Sequence, residues 1–329
     1  MKPLYEISHT SDHANGIDLI VGFSICYEIV SRYEFVQRDG RGRPLRSKIP
    51  VTSRHRYPGG TSFDVAVASK MFGLKPHLMA SVSEDTKELE RQFIIGEIEN
   101  MGLSFHPLTV KSHTSVGNII IEGEFDPIIL SSKFKYIRSA TTAVEQETKA
   151  LQPAMVVATG LMPEETEMAE AMFTAAGTAP RVLNPRMELI EANAYFTRLL
   201  KLSPLVFINH EELGKAIDCT LPEDGVRREH IDRLHELGAD AVIVTCNESG
   251  AVMSIRSQDY WHTQDARRFG TPIDKTGAGD SFLSGCIAAI FNGKNPDEML
   301  RWGATCAGLK VLREGGSNVP SLEDFKNAL

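Results

Sequence analysis

Asp274-Lys275-Thr276-Gly277-Ala278-Gly279-Asp280 runs directly into Ser281-Phe282-Leu283-Ser284-Gly285-Cys286-Ile287-Ala288-Ala289-Ile290-Phe291. The second part has the composition of a largely buried helix, stopped by Asn292-Gly293. The first part is then a glycine-bearing turn feeding a helix N-terminus. Such a turn presents unpaired N–H groups, and the helix dipole adds about half a positive charge there. Glycines let a phosphate approach the backbone without interference from Cβ. Asp280 falls in the first turn, where a carboxylate can take the proton of an attacking hydroxyl. The helix end is expected to keep its pKa low. A capped helix with an acidic first turn would carry the same residues. The stretch is neither a GxxxxGK[ST] loop nor a GxGxxG fingerprint, since Phe282 stands at the third glycine position.

Upstream, short apolar runs recur at Ile17–Ile25, Leu78–Val82, Val116–Ile121, Met155–Thr159, Leu205–Asn209 and Ala241–Thr245. Several are nearly continuous Val, Ile and Leu, the pattern of strands covered on both faces. Helical periodicity fills Thr61–Phe72, Glu164–Ala176, Met187–Leu200 and Arg227–Leu237. Strand and helix in alternation predict an α/β fold, a doubly wound and mostly parallel sheet flanked by helices. Two segments break the rhythm, 23–58 and 104–130, and together are expected to form a small separate β-sheet. The reading is thus a polar leader over residues 1–16, then one α/β domain over 17–329 with those two segments inserted.

The 329 residues hold 35 Lys and Arg against 43 Asp and Glu, a net charge of -8. That balance argues against nucleic-acid binding. The five cysteines form no CxxC pair and read as reduced core thiols. With no apolar leader segment and no run of 18 apolar residues, a cytoplasmic protein with no membrane partner is expected.

Asn209 and Glu212 follow the apolar run 205–208, and so fall at the C-terminal end of a strand, where open α/β sheets bind ligands. A magnesium ion needs only one or two carboxylates beside nucleotide phosphates, and one Glu would serve. Residues 209–212 also spell a helix N-cap with an acidic first turn.

Taken together, these pieces resemble the ribokinase/PfkB family of carbohydrate and nucleoside kinases. Residues 274–280 look like its D-x-T-G-A-G-D signature. Pro58-Gly59-Gly60 with Asp64 looks like its N-terminal signature. Asn209-His210-Glu211-Glu212 looks like its N-x-x-E motif, and Thr245-Cys246-Asn247-Glu248-Ser249-Gly250 like its nucleotide-binding turn. The resemblance spans residues 17–320. It implies an ATP-dependent kinase for a sugar or sugar-derived alcohol, with a small β lid. By position it implies Asp280 as base, and Gly277, Ala278 and Gly279 as anion hole. It also implies Asn209 near the phosphates, Glu212 on Mg²⁺ through water, and Thr245, Asn247 and Gly250 at the nucleotide. The acceptor would meet Tyr27 or Glu28, Gly59, Gly60 and Asp64. Asp274 and Thr276 would hold a monovalent cation such as K⁺, and the lid would pair two subunits.

The chain departs from the pattern on the acceptor side. Tyr27 or Glu28 falls where an Asp is usual, and Asp64 replaces an Asn. Asn247 replaces a Gly in the nucleotide turn, and Ala304 an Asn in the base pocket. These changes leave a catalytically silent ligand-binding protein as an alternative, and a nucleoside as an alternative acceptor. Arg38, Arg41, Arg43, Arg46, Lys48, Arg54, His55 and Arg56 form a basic stretch. It reads either as a solvated loop or as a clamp on an anionic acceptor.

Overall fold

The computed structural model describes residues 16–34, 37–41, 49–122, 128–132, 139–202, 205–222 and 225–329. Apart from Gly16, the polar leader lies outside them, as do Arg43, Arg46 and Lys48 of the basic stretch.

Thirteen strands are described: β1 Leu19–Phe23, β2 Cys26–Tyr33, β3 Ser53–Gly59, β4 Pro76–Ser83, β5 Ser104–Val110, β6 Val116–Glu122, β7 Ile128–Ser131, β8 Met155–Leu161, β9 Arg181–Pro185, β10 Leu205–Asn209, β11 Ala241–Thr245, β12 Ala251–Ile255 and β13 Tyr260–Gln264. Nine form one sheet in the order β13-β12-β11-β10-β9-β8-β1-β4-β5. All its pairings are parallel except those made by β12, which runs antiparallel between β11 and β13. The central strands are apolar throughout because both faces are covered. Phe63, Leu283 and Ile287 pack on one face, and Met168, Phe173, Phe196 and Leu234 on the other. The sheet is therefore doubly wound, and the C-terminal ends of its parallel strands share one edge.

The remaining strands form a small sheet, β3-β2-β6-β7. Ser104–Val110 is a correction to the expected insert. Its half-exposed, polar sequence reads like a lid strand, yet it pairs in parallel with β4 at the edge of the large sheet. The cause is the helix Leu89–Asn100, which makes the crossover a parallel pair requires. Only Val116–Glu122 and Ile128–Ser131 of that segment join the small sheet. A second difference lies at Met187–Leu200, where the periodic run divides into helices Met187–Glu191 and Asn193–Leu200 at Ala192, whose ψ is 58°.

The helices that matter most for the site are Thr61–Met71 and Ala278–Phe291, which pack on each other. Every residue of the second from Ser281 onward is buried. Burial of that helix fixes where its N-terminal turn opens. None of the described helices is long and apolar enough to cross a membrane.

Candidate active site

A cleft of about 1570 Å³ runs along the sheet edge between the large sheet and the small one. Thr276, Gly277, Ala278, Gly279 and Asp280 line its middle. Gly277 has φ 75°, and a Cβ there would stand 2.7 Å from the Gly316 carbonyl oxygen, so both conformation and space demand glycine. The N–H groups of Gly277, Gly279 and Asp280 have no acceptor among the described residues. That of Ala278 donates to the Lys275 carbonyl at 3.2 Å. Of residues 277–279, expected to form an anion hole, Ala278 spends its donor inside the turn, and Asp280 is a further residue whose N–H is left open there. A Cβ on Gly279 would meet no protein atom within 4 Å, so the space above it is open to a ligand.

Asp280 is half-buried on the cleft wall, and its carboxyl is pushed up to about 7. Burial is the main cause. The Glu28 charge adds to it, the Lys310 ammonium opposes it, and Glu212 adds again. This corrects the expectation of a low value. The helix dipole acts on Asp280, but the loss of water and two nearby carboxylates outweigh it.

Glu28 and Asp64 form the rest of this acidic end. They are 8% and 4% exposed, and both line the cleft. Glu28 Oε2 and Asp64 Oδ1 have no hydrogen-bond partner. Burial raises both carboxyls, with Asp280 and then Glu28 adding to the shift of Asp64. Buried polar atoms are ordinarily hydrogen-bonded, so these two oxygens mark a polar end of the cleft.

The alternative between Tyr27 and Glu28 resolves along the strand. Alternation sends Tyr27 into the core, edge-on to Phe93 with ring centroids 5.1 Å apart, while Glu28 faces the cleft. Gly60 lines the cleft. Gly59 does not, because it lies behind Glu28, whose carboxyl carbon would stand 2.2 Å from a Cβ at that position.

Asn209 lines the cleft and Glu212 does not. The two form the reciprocal cap that the sequence also allowed. Glu212 N donates to Asn209 Oδ1 at 2.9 Å, and Asn209 N donates to Glu212 Oε2 at 2.8 Å. Glu212 Oε1 has no protein partner among the described residues, and burial, first among several causes, raises this carboxyl to about 7. Thr245, Asn247 and Gly250 line the far end, with Asn247 in the left-handed region at φ 49°. Ala304, Ala307 and Gly308 make a wall of small side chains there. Asp274 is buried beneath the turn. Its Oδ1 accepts from Thr276 N and its Oδ2 from Gly315 N, both at 2.9 Å. Burial alone would raise this carboxyl, but those bonds hold it below its usual value.

Arg186, Cys26 and Glu165 also line the cleft and have no counterpart among the residues singled out from sequence. Arg186 directly follows β9, so the strand-end rule would have found it. The strand reads Arg-Val-Leu-Asn-Pro, however, too short an apolar run to register. Burial pushes the Glu165 carboxyl to about 7 although it accepts from Met162 N at 2.8 Å. Of the basic stretch, Arg54, His55 and Arg56 are exposed on β3 and none lines the cleft. Arg38 pairs with Glu122.

Comparison with known proteins gives a consistent result. The family described as pfkB family carbohydrate kinase matches residues 25–323. A 5-dehydro-2-deoxygluconokinase of Bacillus licheniformis is 21% identical over 305 residues, covering 87% of this chain and 90% of that protein. Among solved structures, a nucleoside kinase of Burkholderia thailandensis in complex with inosine superposes with a TM-score of 0.72 at 20% identity, covering 95% of this chain and 98% of that one. A ribokinase of Giardia lamblia superposes with a TM-score of 0.77 at 17% identity, covering 95% and 100%.

Proposed function

The chain belongs to the pfkB family of carbohydrate kinases, and on that premise we propose that it moves the γ-phosphoryl group of ATP to a hydroxyl of a sugar or sugar-derived polyol held between Glu28, Asp64 and Asp280. The observation that carries this reading is the cleft itself. It places an acidic group with a value of about 7 beside unsatisfied N–H groups of a helix N-terminus.

In the step, the acceptor oxygen forms a bond to phosphorus and the bond from phosphorus to the bridging oxygen of ATP breaks. The hydroxyl proton passes to the Asp280 carboxylate. The free N–H groups of Gly279 and Asp280 stabilise charge on the transferring group, in a site whose geometry is set before reaction. Bound Mg²⁺ would supply charge neutralisation on the phosphates. Glu212 Oε1 and Asn209 are the residues that would hold its waters, and the free Oε1 fits that task. Thr245, Asn247 and Gly250 border the nucleotide, and the small residues 304, 307 and 308 accommodate its base.

The orphaned oxygens of Glu28 and Asp64 favour an acceptor that donates several hydroxyl hydrogens. They disfavour an anionic group at the same place, and the exposed Arg54 and Arg56 offer no clamp there. A silent binding protein is not favoured, since it has no need of a base at this value. The lid is proposed to pair two subunits through β7, an edge strand whose Ile128, Ile129 and Leu130 are 56%, 56% and 55% exposed.

The test is a screen of neutral sugars, polyols, sugar acids and nucleosides with ATP and Mg²⁺, read as acceptor-dependent ADP release. Turnover of a neutral polyol is expected. Ligand-induced thermal stabilisation with no ADP release from any acceptor would overturn the reading.

A further inference from the structure

Lys310 ends the helix Pro296–Lys310 with 0% exposure, and nothing in the proposed reaction uses it. An ammonium removed from water is costly unless charges nearby oppose it. Its Nζ donates to the Arg313 carbonyl at 3.1 Å. Burial works against its charge, and Asp274, Asp64 and Asp280 support it, in that order.

Asp64 and Asp274 come from distant parts of the chain and meet at the loop after Lys310, and Asp280 follows Asp274 by six residues. Gly315 N donates to Asp274 Oδ2 at 2.9 Å. A Cβ on Gly316 would lie 2.4 Å from Asp64 Oδ2, and one on Gly277 would lie 2.7 Å from Gly316 O. The floor of the acceptor end and the anion-binding turn therefore rest on one loop, and the only lysine with 0% exposure among the described residues stands at its start.

A monovalent cation at Asp274 and Thr276 fits this arrangement poorly. Both Asp274 oxygens already accept backbone N–H groups, and the Lys310 ammonium, bonded to the same loop, already favours the charge of that carboxylate. A second cation there would be repelled by the first in surroundings of low dielectric.

We infer that Lys310 is a built-in counter-ion, a positioning residue whose ammonium balances Asp64, Asp274 and Asp280, and that the protein works without a bound monovalent cation. The inference rests on the kinase reading only in its activity arm.

Thermal unfolding and acceptor-dependent ADP release are compared in K⁺ and in tetramethylammonium at equal ionic strength. The wild type should differ by no more than about 1 °C and about twofold in kcat between the two, because no cation binds. Lys310→Met should unfold ~5 °C or more lower in tetramethylammonium, with kcat down at least about tenfold. K⁺ or NH₄⁺ should restore much of both, which a merely structural side chain would not show. Wild-type protein stabilised or activated more than about fivefold by K⁺ would overturn the inference, as would Lys310→Met indistinguishable from wild type. If Lys310→Met does not fold, Lys310→Met/Asp64→Asn decides. Removing a carboxylate together with the ammonium should recover folding, and a double variant no better than the single contradicts the counter-ion role. If no acceptor is turned over, the kinase reading fails alone, and the unfolding comparison still decides this inference.

Discussion

The two ends of the cleft are built from different materials. The middle proposed to face phosphate and the end proposed for the nucleotide are made of backbone and small residues: the turn at Gly277–Asp280, Gly250, Ala304 and Gly308. The end proposed for the acceptor is made of ionisable side chains, Glu28, Asp64 and Asp280, delivered by a strand of the small sheet and two helices and backed by Lys310. Backbone donors bind any phosphate in much the same way, and their strength depends on leaving the turn undistorted. Carboxylates at the other end select by what they are offered, and they also set one another's protonation.

Substitutions that strike one end and spare the other can break this contrast. The largest effect is expected at the shared residue: Asp280→Asn should lower kcat by ~10²–10⁴-fold, the worth of a positioned base. The KM for ATP should stay close to the wild-type value, and steady-state assays with varied ATP check both. Next, at the backbone end, Gly277→Ala should cost ~1–3 kcal/mol of stability, because the left-handed residue also meets the Gly316 carbonyl. Gly279→Ala should fold normally and raise the KM for ATP, since its methyl enters open cleft. Chemical denaturation and kinetics separate the pair, and equal stability loss in both would refute the assignment of Gly279 to the ligand. At the acceptor end, Glu28→Gln should raise the KM for the acceptor by roughly tenfold, a lost charge-assisted hydrogen bond, and leave the KM for ATP unchanged. The smallest effect belongs to the lid edge. Ile129→Lys should convert a dimer to a monomer in light scattering while kcat changes little, and unchanged mass would remove the proposed pairing.

The same contrast explains what could be read from the sequence. Continuous apolar runs gave β10 and β11 with the bounds observed, and a glycine turn before a buried helix marked the turn that lines the cleft. These features are local, as their causes are. The lid was legible as a break in rhythm, but β5 was not, since its place in the large sheet depends on a crossover helix rather than on its own residues. Tyr27 and Glu28 could not be told apart without a strand register. The value of Asp280 was misjudged because its helix is local to it, whereas Glu28 lies some 250 positions away in sequence and reaches it only through the fold. Lys310 carried no signal at all. A lysine at a helix C-terminus is ordinarily a solvated charge beside the dipole, and only packing shows otherwise.

The most direct test of the central claim, that a buried acidic floor holds Asp280 at a value suited to a base, is the pH dependence of kcat/KM for the identified acceptor. Asp280 must be ionised to take a proton, and its carboxyl is raised to about 7, so it is protonated below that pH. The rate should therefore fall about tenfold per unit as pH drops below about 7, and level off above it. A profile flat down to the ordinary carboxylate range would contradict the account.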